Sequence, residues 1–377
     1  MRARCWLRLP ARRGCELAAE KYRKAVEALA GEIRSGVYAK GGVLPGEHEL
    51  AKRLGIARET VRKAVAELIE RGLVERRRGV GTFLTRRGRR KTGLLALMIP
   101  DVTSAEIFKV FSEEIERLGR RNGYKVVRGE FKSRSPNALV LEARRMARQF
   151  AVERIEGVVF RPFLDERMAK TNREIVRIFR NAEIPVVLLD SDVVSPPDRS
   201  ECDLVAVDNV SAGRRVAEHL VRGGRRRVAF MMSGLSIRAN VNWRNRLFGV
   251  AGELALGGVE NAVKILEFKP DDREALARLY RSRFRPDAIV CGNDETAVVL
   301  MRTLQGIGRR IPADVAVVGF DDAACAKSSV PPLTTVSQPS KLIAKAALRM
   351  LLARIANPSI EVKESYLPAP LAVRGST

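Results

Sequence analysis

The 377-residue sequence predicts a mixed α/β protein in two parts. A small basic head of helices with a two-stranded ribbon precedes a long module built on parallel sheets in two lobes. Three observations carry that prediction. Residues 44–83 read as two short helices with a tight joint, then a strand, a glycine-tipped turn and another strand. From Gly93 onward, short apolar runs alternate regularly with amphipathic stretches of about 10–15 residues, the pattern of strands and helices in parallel α/β sheets. Charge is also uneven: residues 1–92 hold 24 basic and 10 acidic residues, so +14 of the formal +25 falls on that first part. A basic head on a milder body suits a nucleic-acid module joined to something else.

Taken in order, residues 1–20 have basic residues but no apolar core of the kind a signal peptide needs, and they read as a disordered basic tail. From Lys21 to Ser35, Ala25, Val26, Leu29 and Ile33 share one helical face. Gly36, Gly41 and Gly42 mark a loop. Leu50, Ala51 and Leu54 recur at helical spacing, and Gly55 ends that helix where a left-handed residue is easiest to supply. The next helix, Arg58 to Arg71, places Val61, Ala64, Val65, Leu68 and Ile69 inward, with Arg58, Glu59, Arg62 and Lys63 on the other face. Gly72 closes it; Leu73–Glu75 starts a strand toward the turn Arg78–Gly79–Val80–Gly81. This is the layout of a winged helix-turn-helix, whose second helix enters the major groove while the wing touches the neighbouring backbone or minor groove. Arg58 and Arg62 lie one turn apart at the start of that helix, where a guanidinium reaches guanine O6 and N7. Thr60 and Lys63 are assigned to phosphates, as are Arg76, Arg77 and Arg78 beside a wing tip bare enough for close approach.

Residues 85–92, five of them basic between Arg86 and Lys91, form a linker. Then follow, as strand and helix in alternation, GLLALMIP and IFKVFSEEIERLGRRNGY, KVVRGEF and LVLEARRMARQFAV, GVVFRP and NREIVRIFRNAEI, PVVLLD and AGRRVAEHLVRGG. RVAFMMS, RNRLFGVAGELALGG, VKILEF, REALARLYRSR, DAIVCGN, DETAVVLMRTLQGIG and VAVVGFDD continue the pattern. The run suffices for two parallel sheets covered on both faces. In such sheets ligands bind beyond the carboxyl ends of the strands, so two facing lobes would form a closable cleft.

Two resemblances sharpen this. Residues 21–84, with KYRKAVEALAGEIRSG, LPGEHELAKRLGI, ARETVRKAV and LIERGLVERRRGVGTF in that order, resemble the DNA-binding domain of GntR-type bacterial transcription regulators. The family usually has Ser where this chain has Gly46 and Ala57, so two N-cap hydroxyls are missing; His48 stands where an Arg is common. The resemblance implies a DNA-contacting set of Glu47, His48, Arg58, Glu59, Thr60, Arg62, Lys63, Arg76, Arg77, Arg78, Gly79, Gly81 and Thr82. Residues 93–377 resemble the effector-binding domain of LacI-type regulators, which is periplasmic-binding-protein-like. Matching blocks include LLALMIPDVTSAEIF, EGVVFRP, VAVDNVSAGRRVAEHLVRGGRRRVAF, PDAIVCGNDETAVVL, VAVVGFDD and PPLTTVSQPSKLIAKAALRML. This implies lobe 1 at about 93–204 and 338–357 and lobe 2 at about 205–337 and 358–377. It also implies effector contacts from Asp190, Arg246, Asn293 and Asp321. Hydroxyls need paired donors and acceptors of that kind, and Phe108, with Trp243 or Phe163, would supply an apolar wall. Asp294 is expected to cap the helix it begins.

The inventory excludes several classes. Five cysteines without CxxC spacing read as reduced thiols, and two histidines, His48 and His219, leave no His-based triad or zinc site. No metal or cofactor is expected, and no apolar run reaches the length of about 18 residues that a membrane span requires. The expected function is a cytoplasmic, homodimeric, non-enzymatic repressor, bound to double-stranded operator DNA and controlled by a small-molecule effector, a sugar or sugar derivative. A purine or an amino-acid-derived effector fits the same fold. The rivals are a solute-binding transport component and a sugar-metabolising enzyme with an accessory DNA-binding head. The missing signal peptide argues against the first, and the lack of an activated base or metal site against the second.

Overall fold

The computed structural model describes residues 11–35, 37–38, 42–85, 92–99, 105–133, 135–195, 197–233, 240–259 and 263–377. The chain divides into two units, Met1–Thr92 and Gly93–Thr377. The linker stretch 86–91 and the loop expected at 101–104 lie outside the described residues.

The first unit consists of α1 (Ala11–Ser35), β1 (Val43–Leu44), α2 (Glu47–Leu54), α3 (Arg58–Glu70), β2 (Val74–Arg77) and β3 (Gly81–Leu84). The helix α1 begins at Ala11, ten residues before the expected start, so the backbone of 11–20 is helical and not a disordered tail. Ala, Arg, Glu and Leu dominate ARRGCELAAE, and all favour helix. Ala25, Val26, Leu29 and Ile33 of α1 are buried with Leu50, Val61, Ala64, Val65, Leu68, Val74 and Leu84 in one core. Ile69, expected inside, is 36% exposed. It lies one residue, or about 100°, around the helix from Leu68, off the buried stripe. Gly55 closes α2 in the left-handed conformation at φ 63°. Gly46 and Ala57 stand at the N-caps of α2 and α3 without side-chain caps. Acidic residues in the first turns, Glu47 and Glu49 in α2 and Glu59 in α3, offset part of that loss through the helix dipole. The strands form an antiparallel sheet of order β1-β3-β2, with Arg76 opposite Thr82 and Arg77 opposite Gly81.

In the second unit the first lobe starts with β4 (Leu94–Met98), α4 (Ala105–Arg121), β5 (Lys125–Arg128), α5 (Pro136–Val152), β6 (Gly157–Phe160), α6 (Ala169–Asn181), β7 (Val186–Leu189) and β8 (Asp203–Val207). The chain then crosses into α7 (Asn209–Arg222), β9 (Val228–Met231), α8 (Val241–Leu256), β10 (Val263–Leu266), α9 (Arg273–Arg281), β11 (Ala288–Cys291), α10 (Asp294–Gly306), β12 (Ala316–Asp321), α11 (Ala324–Ser328) and β13 (Thr334–Ser337). It returns as α12 (Ser340–Ala356) and β14 (Glu364–Leu367), and crosses a third time to β15 (Leu371–Ala372). One six-stranded sheet has the order β14-β8-β7-β6-β4-β5 and is parallel throughout. The other runs β10-β9-β11-β12-β13-β15, with only the β13–β15 pair antiparallel.

The lobe boundaries therefore move. Residues 205–207 and 364–367, expected in lobe 2, belong to the sheet of lobe 1, where Val205 pairs with Leu189 and Tyr366 with Ala206. Alternation shows that a strand exists but not which sheet edge it joins. Helices α7 and α8 pack closely in lobe 2. A Cβ on Gly213 would collide with the carbonyl of Arg246, and one on Gly249 with that of Val210, so both positions need glycine to let the backbones approach.

Candidate functional site

Two candidate sites arise, one in each unit. In the head, Arg58, Arg62 and Lys63 are exposed on α3, and Arg76, Arg77 and Arg78 are exposed at the wing. Glu47, at the start of α2, joins them. Its side chain is only 13% exposed; it accepts a hydrogen bond from Arg76 and lies 3.4 Å from Arg62 Nε and 3.5 Å from Arg58 Nε. Burial alone would raise the Glu47 carboxyl, but the Arg76 and Arg62 guanidiniums outweigh it and hold the group below its ordinary range. Arg62 also pairs with Glu59 at 3.0 Å. One carboxylate thus ties the second helix to the wing. Arg77 stacks over Phe83 at 4.6 Å and pairs with Glu75. At the tip, Gly79 and Gly81 have φ 74° and 143°, and Val80 is 71% exposed. His48 is exposed, whereas Thr60 and Thr82 are half-buried.

In the second unit, Phe108 of α4, Asp190 after β7, Arg246 of α8, Asn293 after β11 and Asp321 at the end of β12 all line one cavity of about 240 Å³ between the lobes. Trp243 lines it too, because Gly292 leaves room for the indole where a Cβ would collide with it. Phe163 lines a neighbouring cavity instead. Arg246, 4% exposed, donates from Nε to Asn209 at 2.8 Å and from Nη1 to the Gly292 carbonyl at 2.5 Å. It stacks over Phe320 at 4.4 Å and lies 3.7 Å from Asp321. Arg161, 3% exposed, donates to Asp190 at 3.0 Å and stacks over Phe108 at 4.4 Å. Sequence reasoning missed Arg161 and its pairing. The signal available was its place as the Arg of EGVVFRP, just past the carboxyl end of β6.

Asp294 does not cap its helix. Asn293 does, accepting the Thr296 N–H at 3.1 Å. Asp294 is 1% exposed and braces the loop after β12, accepting from Thr335 at 2.6 Å and from the Ala323 N–H at 2.8 Å. Burial pushes its carboxyl up to about 7 against the Thr335 hydrogen bond. Burial likewise raises Asp321 to about 6, opposed by Arg246, and Gln338 donates to Asp321 at 2.6 Å. The backbone is strained around the cavity: Asp190, Ser233, Asp321 and Asp322 have φ of 77°, 51°, 116° and 56°. L-residues rarely hold such values except where surrounding structure enforces them at functional positions. Asn242, Trp243 and Thr296 are buried to 9% exposure or less, line the cavity, and have no side-chain hydrogen-bond partner among the described residues. Their polar atoms open onto the cavity, where a ligand can pair with them. Among the described residues no metal-binding cluster occurs, and no helix is long and apolar enough to cross a membrane.

A winged head with a cationic reading face, carried on the same chain as a two-lobed module with a polar interlobe cavity, is the build of a ligand-responsive DNA-binding regulator. Residues 21–84 match the gntR family of bacterial regulatory proteins, and residues 217–377 match the periplasmic binding protein-like domain. The chain is 27% identical over 377 residues to the arabinose metabolism transcriptional repressor of Geobacillus stearothermophilus, covering 95% of this chain and 97% of that protein. It is 30% identical over 301 residues to an uncharacterized HTH-type transcriptional regulator in the aml 5′ region of Streptomyces limosus, covering 78% and 81%. A solved transcriptional regulator CelR–cellobiose complex shares the fold at a TM-score of 0.64 and 24% identity, over 94% of this chain and 99% of that one. The chain belongs to the family of helix-turn-helix transcription regulators that join a GntR-type head to a LacI-type, periplasmic-binding-protein-like module. Like those relatives it is a DNA-binding regulator of transcription and not an enzyme.

Proposed function

We propose that this regulator is a cytoplasmic, homodimeric repressor whose operator binding is set by an uncharged sugar held between the lobes of the second unit. The observation that carries the ligand class is the mixture lining the cavity. Two Arg–Asp pairs, Arg161–Asp190 and Arg246–Asp321, leave carboxylate and guanidinium edges of both signs. Asn242, Trp243 and Thr296 add donors and acceptors without a partner among the described residues, and Phe108 adds an aromatic wall. A sugar hydroxyl both donates and accepts, and its ring carries an apolar face, so each of these features has a counterpart. The repressor of Geobacillus stearothermophilus, similar over nearly its whole length, is named for arabinose metabolism, which supports both the sugar and the direction of control.

In the head, Arg58 and Arg62 read base edges in the major groove, while Lys63, Arg76, Arg77 and Arg78 hold phosphates. A two-fold dimer would present two such heads to a palindromic operator. Ligand alters operator affinity only as far as it binds the two states of the second unit differently. The test is thermal unfolding of the full chain with a panel of sugars, sugar acids, polyols and nucleobases, followed by operator binding with and without any hit. A ligand specific to the folded state raises the unfolding temperature with the logarithm of its concentration. A shift from one class of neutral sugar that also changes operator affinity is the expected result. A shift from nucleobases alone would overturn the sugar assignment.

A further inference from the structure

The cavity of about 240 Å³ is not isolated. A second one, of about 340 Å³, opens beside it and shares Leu164, Asp190 and Asn242 as lining. We propose that the ligand has at least two sugar rings, one in each cavity, with Asn242 contacting it at the junction. This rests on the sugar reading above and narrows it to uncharged disaccharides and longer glycosides.

Size is the first argument. Ligand sites commonly run from roughly 300 to 1,000 Å³. The first cavity falls below that range alone, and the two together lie inside it. Asn242 is the second argument. It is 4% exposed, it lines both spaces, and its carboxamide has no partner among the described residues. Its polar atoms open onto the two spaces, so a ligand group in either cavity can pair with it in the working state. A glycosidic linkage with hydroxyls on both sides presents such groups at that point.

Charge in the second cavity decides the ligand's class. Its ionic side chains are already engaged with the protein. Glu166 pairs with Arg244 across the two lobes, and Arg199 lies 2.9 Å from Glu364. Asp165 pairs with Arg167. Asp192 accepts from the N–H groups of Val193, Val194 and Ser200, and Asp208 caps α7. Among the described residues that line it, no cation is left over to balance a phosphate or a carboxylate, and the surplus of acids among these groups repels one. Among the described residues, what remains for a ligand is neutral: the Asn245 carboxamide, the Ser191 hydroxyl and the rings of Phe163 and Tyr366, the latter already faced by Arg199 at 5.9 Å. Neutral hydrogen-bonding groups beside aromatic faces suit a second sugar ring.

The test measures binding of the full chain by isothermal titration calorimetry. The probes are cellobiose, maltose, lactose and arabinobiose, each set against glucose, galactose and arabinose, with glucose 6-phosphate as the charged control. One disaccharide is expected to bind at least about tenfold more tightly than its component monosaccharide, and the phosphorylated sugar not at all. Val241→Phe fills the second cavity from the start of α8, and Ala169→Leu fills it from the opposite lobe, so the test does not hinge on one variant folding. Either should remove the advantage of the second ring while leaving monosaccharide affinity within about threefold. A monosaccharide that binds as tightly as every disaccharide, and is indifferent to both variants, would overturn the two-ring proposal and leave the sugar reading standing. Binding by no neutral carbohydrate of either length would overturn both.

Discussion

Replacing Arg246 by alanine tests the site's electrostatic design most directly. The substitution removes a guanidinium that is 4% exposed, its bonds to Asn209 and to the Gly292 carbonyl, and its contact with Phe320. It also strips Asp321, whose side chain is 10% exposed, of its nearby cation at 3.7 Å. Breaking a buried pair on one side typically costs about 3–5 kcal/mol, because a charge stays buried without compensation. For a slope of about 3 kcal/mol per molar urea, the unfolding midpoint should fall by roughly 1–2 M. Trp243 packs on Gly292 in the same lobe, so its fluorescence in a Trp6→Phe background reports this unfolding locally.

The loss should depend on pH. Asp321 titrates at about 6 even beside Arg246, and burial without that cation raises it further. A raised carboxyl costs nothing below the ordinary carboxylate range, and its penalty grows as pH climbs through the folded-state value. Arg246→Ala should therefore destabilise more at pH 8 than at pH 5. Adding Asp321→Asn should recover part of the loss at pH 8 and little at pH 5. Equal destabilisation at both pH values, with no recovery in the double variant, would refute the claim that an uncompensated Asp321 carries the cost.

Three further outcomes are expected. Glu47→Gln frees Arg58, Arg62 and Arg76 from their shared carboxylate; non-specific DNA affinity should rise, with the log–log salt slope steepening by about 0.9 per added phosphate contact, while preference for a selected operator falls. Fluorescence anisotropy across a salt series checks this, and an unchanged operator preference would show that Glu47 does not orient the arginines. Asp294 titrates at about 7, so its ionisation weakens the fold as pH rises from the ordinary carboxylate range through 7; Asp294→Asn should be stabilising at pH 8 relative to pH 5, by at most roughly 3 kcal/mol at 1.36 kcal/mol per pH unit. Urea unfolding at the two values reads it, and a pH-independent difference contradicts the ionisation argument. Gly249→Ala must push α8 off the Val210 carbonyl, and a loss of about 1–3 kcal/mol in the same unfolding assay is expected from overpacking; an unchanged midpoint would mean that the two helices can part freely.

Much of this protein is local and therefore legible in its sequence. The stripe Ala25, Val26, Leu29 and Ile33, and the pair of short helices around Gly55, follow from helical spacing and one left-handed residue. The strands of the second unit announce themselves as apolar runs, and their carboxyl ends can be counted along the chain. Asp190, Asn293 and Asp321 lie at such ends, and the family resemblance selected them, together with Arg246 of α8, before any contact was seen. Tertiary structure decided the partners. Arg161 meets Asp190, Glu47 gathers three arginines, Asn293 takes the cap expected of Asp294, and Asp294 braces a loop nearly thirty residues away. It also decided that Asn242 lines two adjoining cavities, and that β8 and β14 join the first sheet and not the second. Periodicity records which way a side chain faces within its own element, because that depends on backbone geometry alone. Burial, ion pairing and sheet membership depend on which distant segments arrive at the same place, and only the folded chain brings them there.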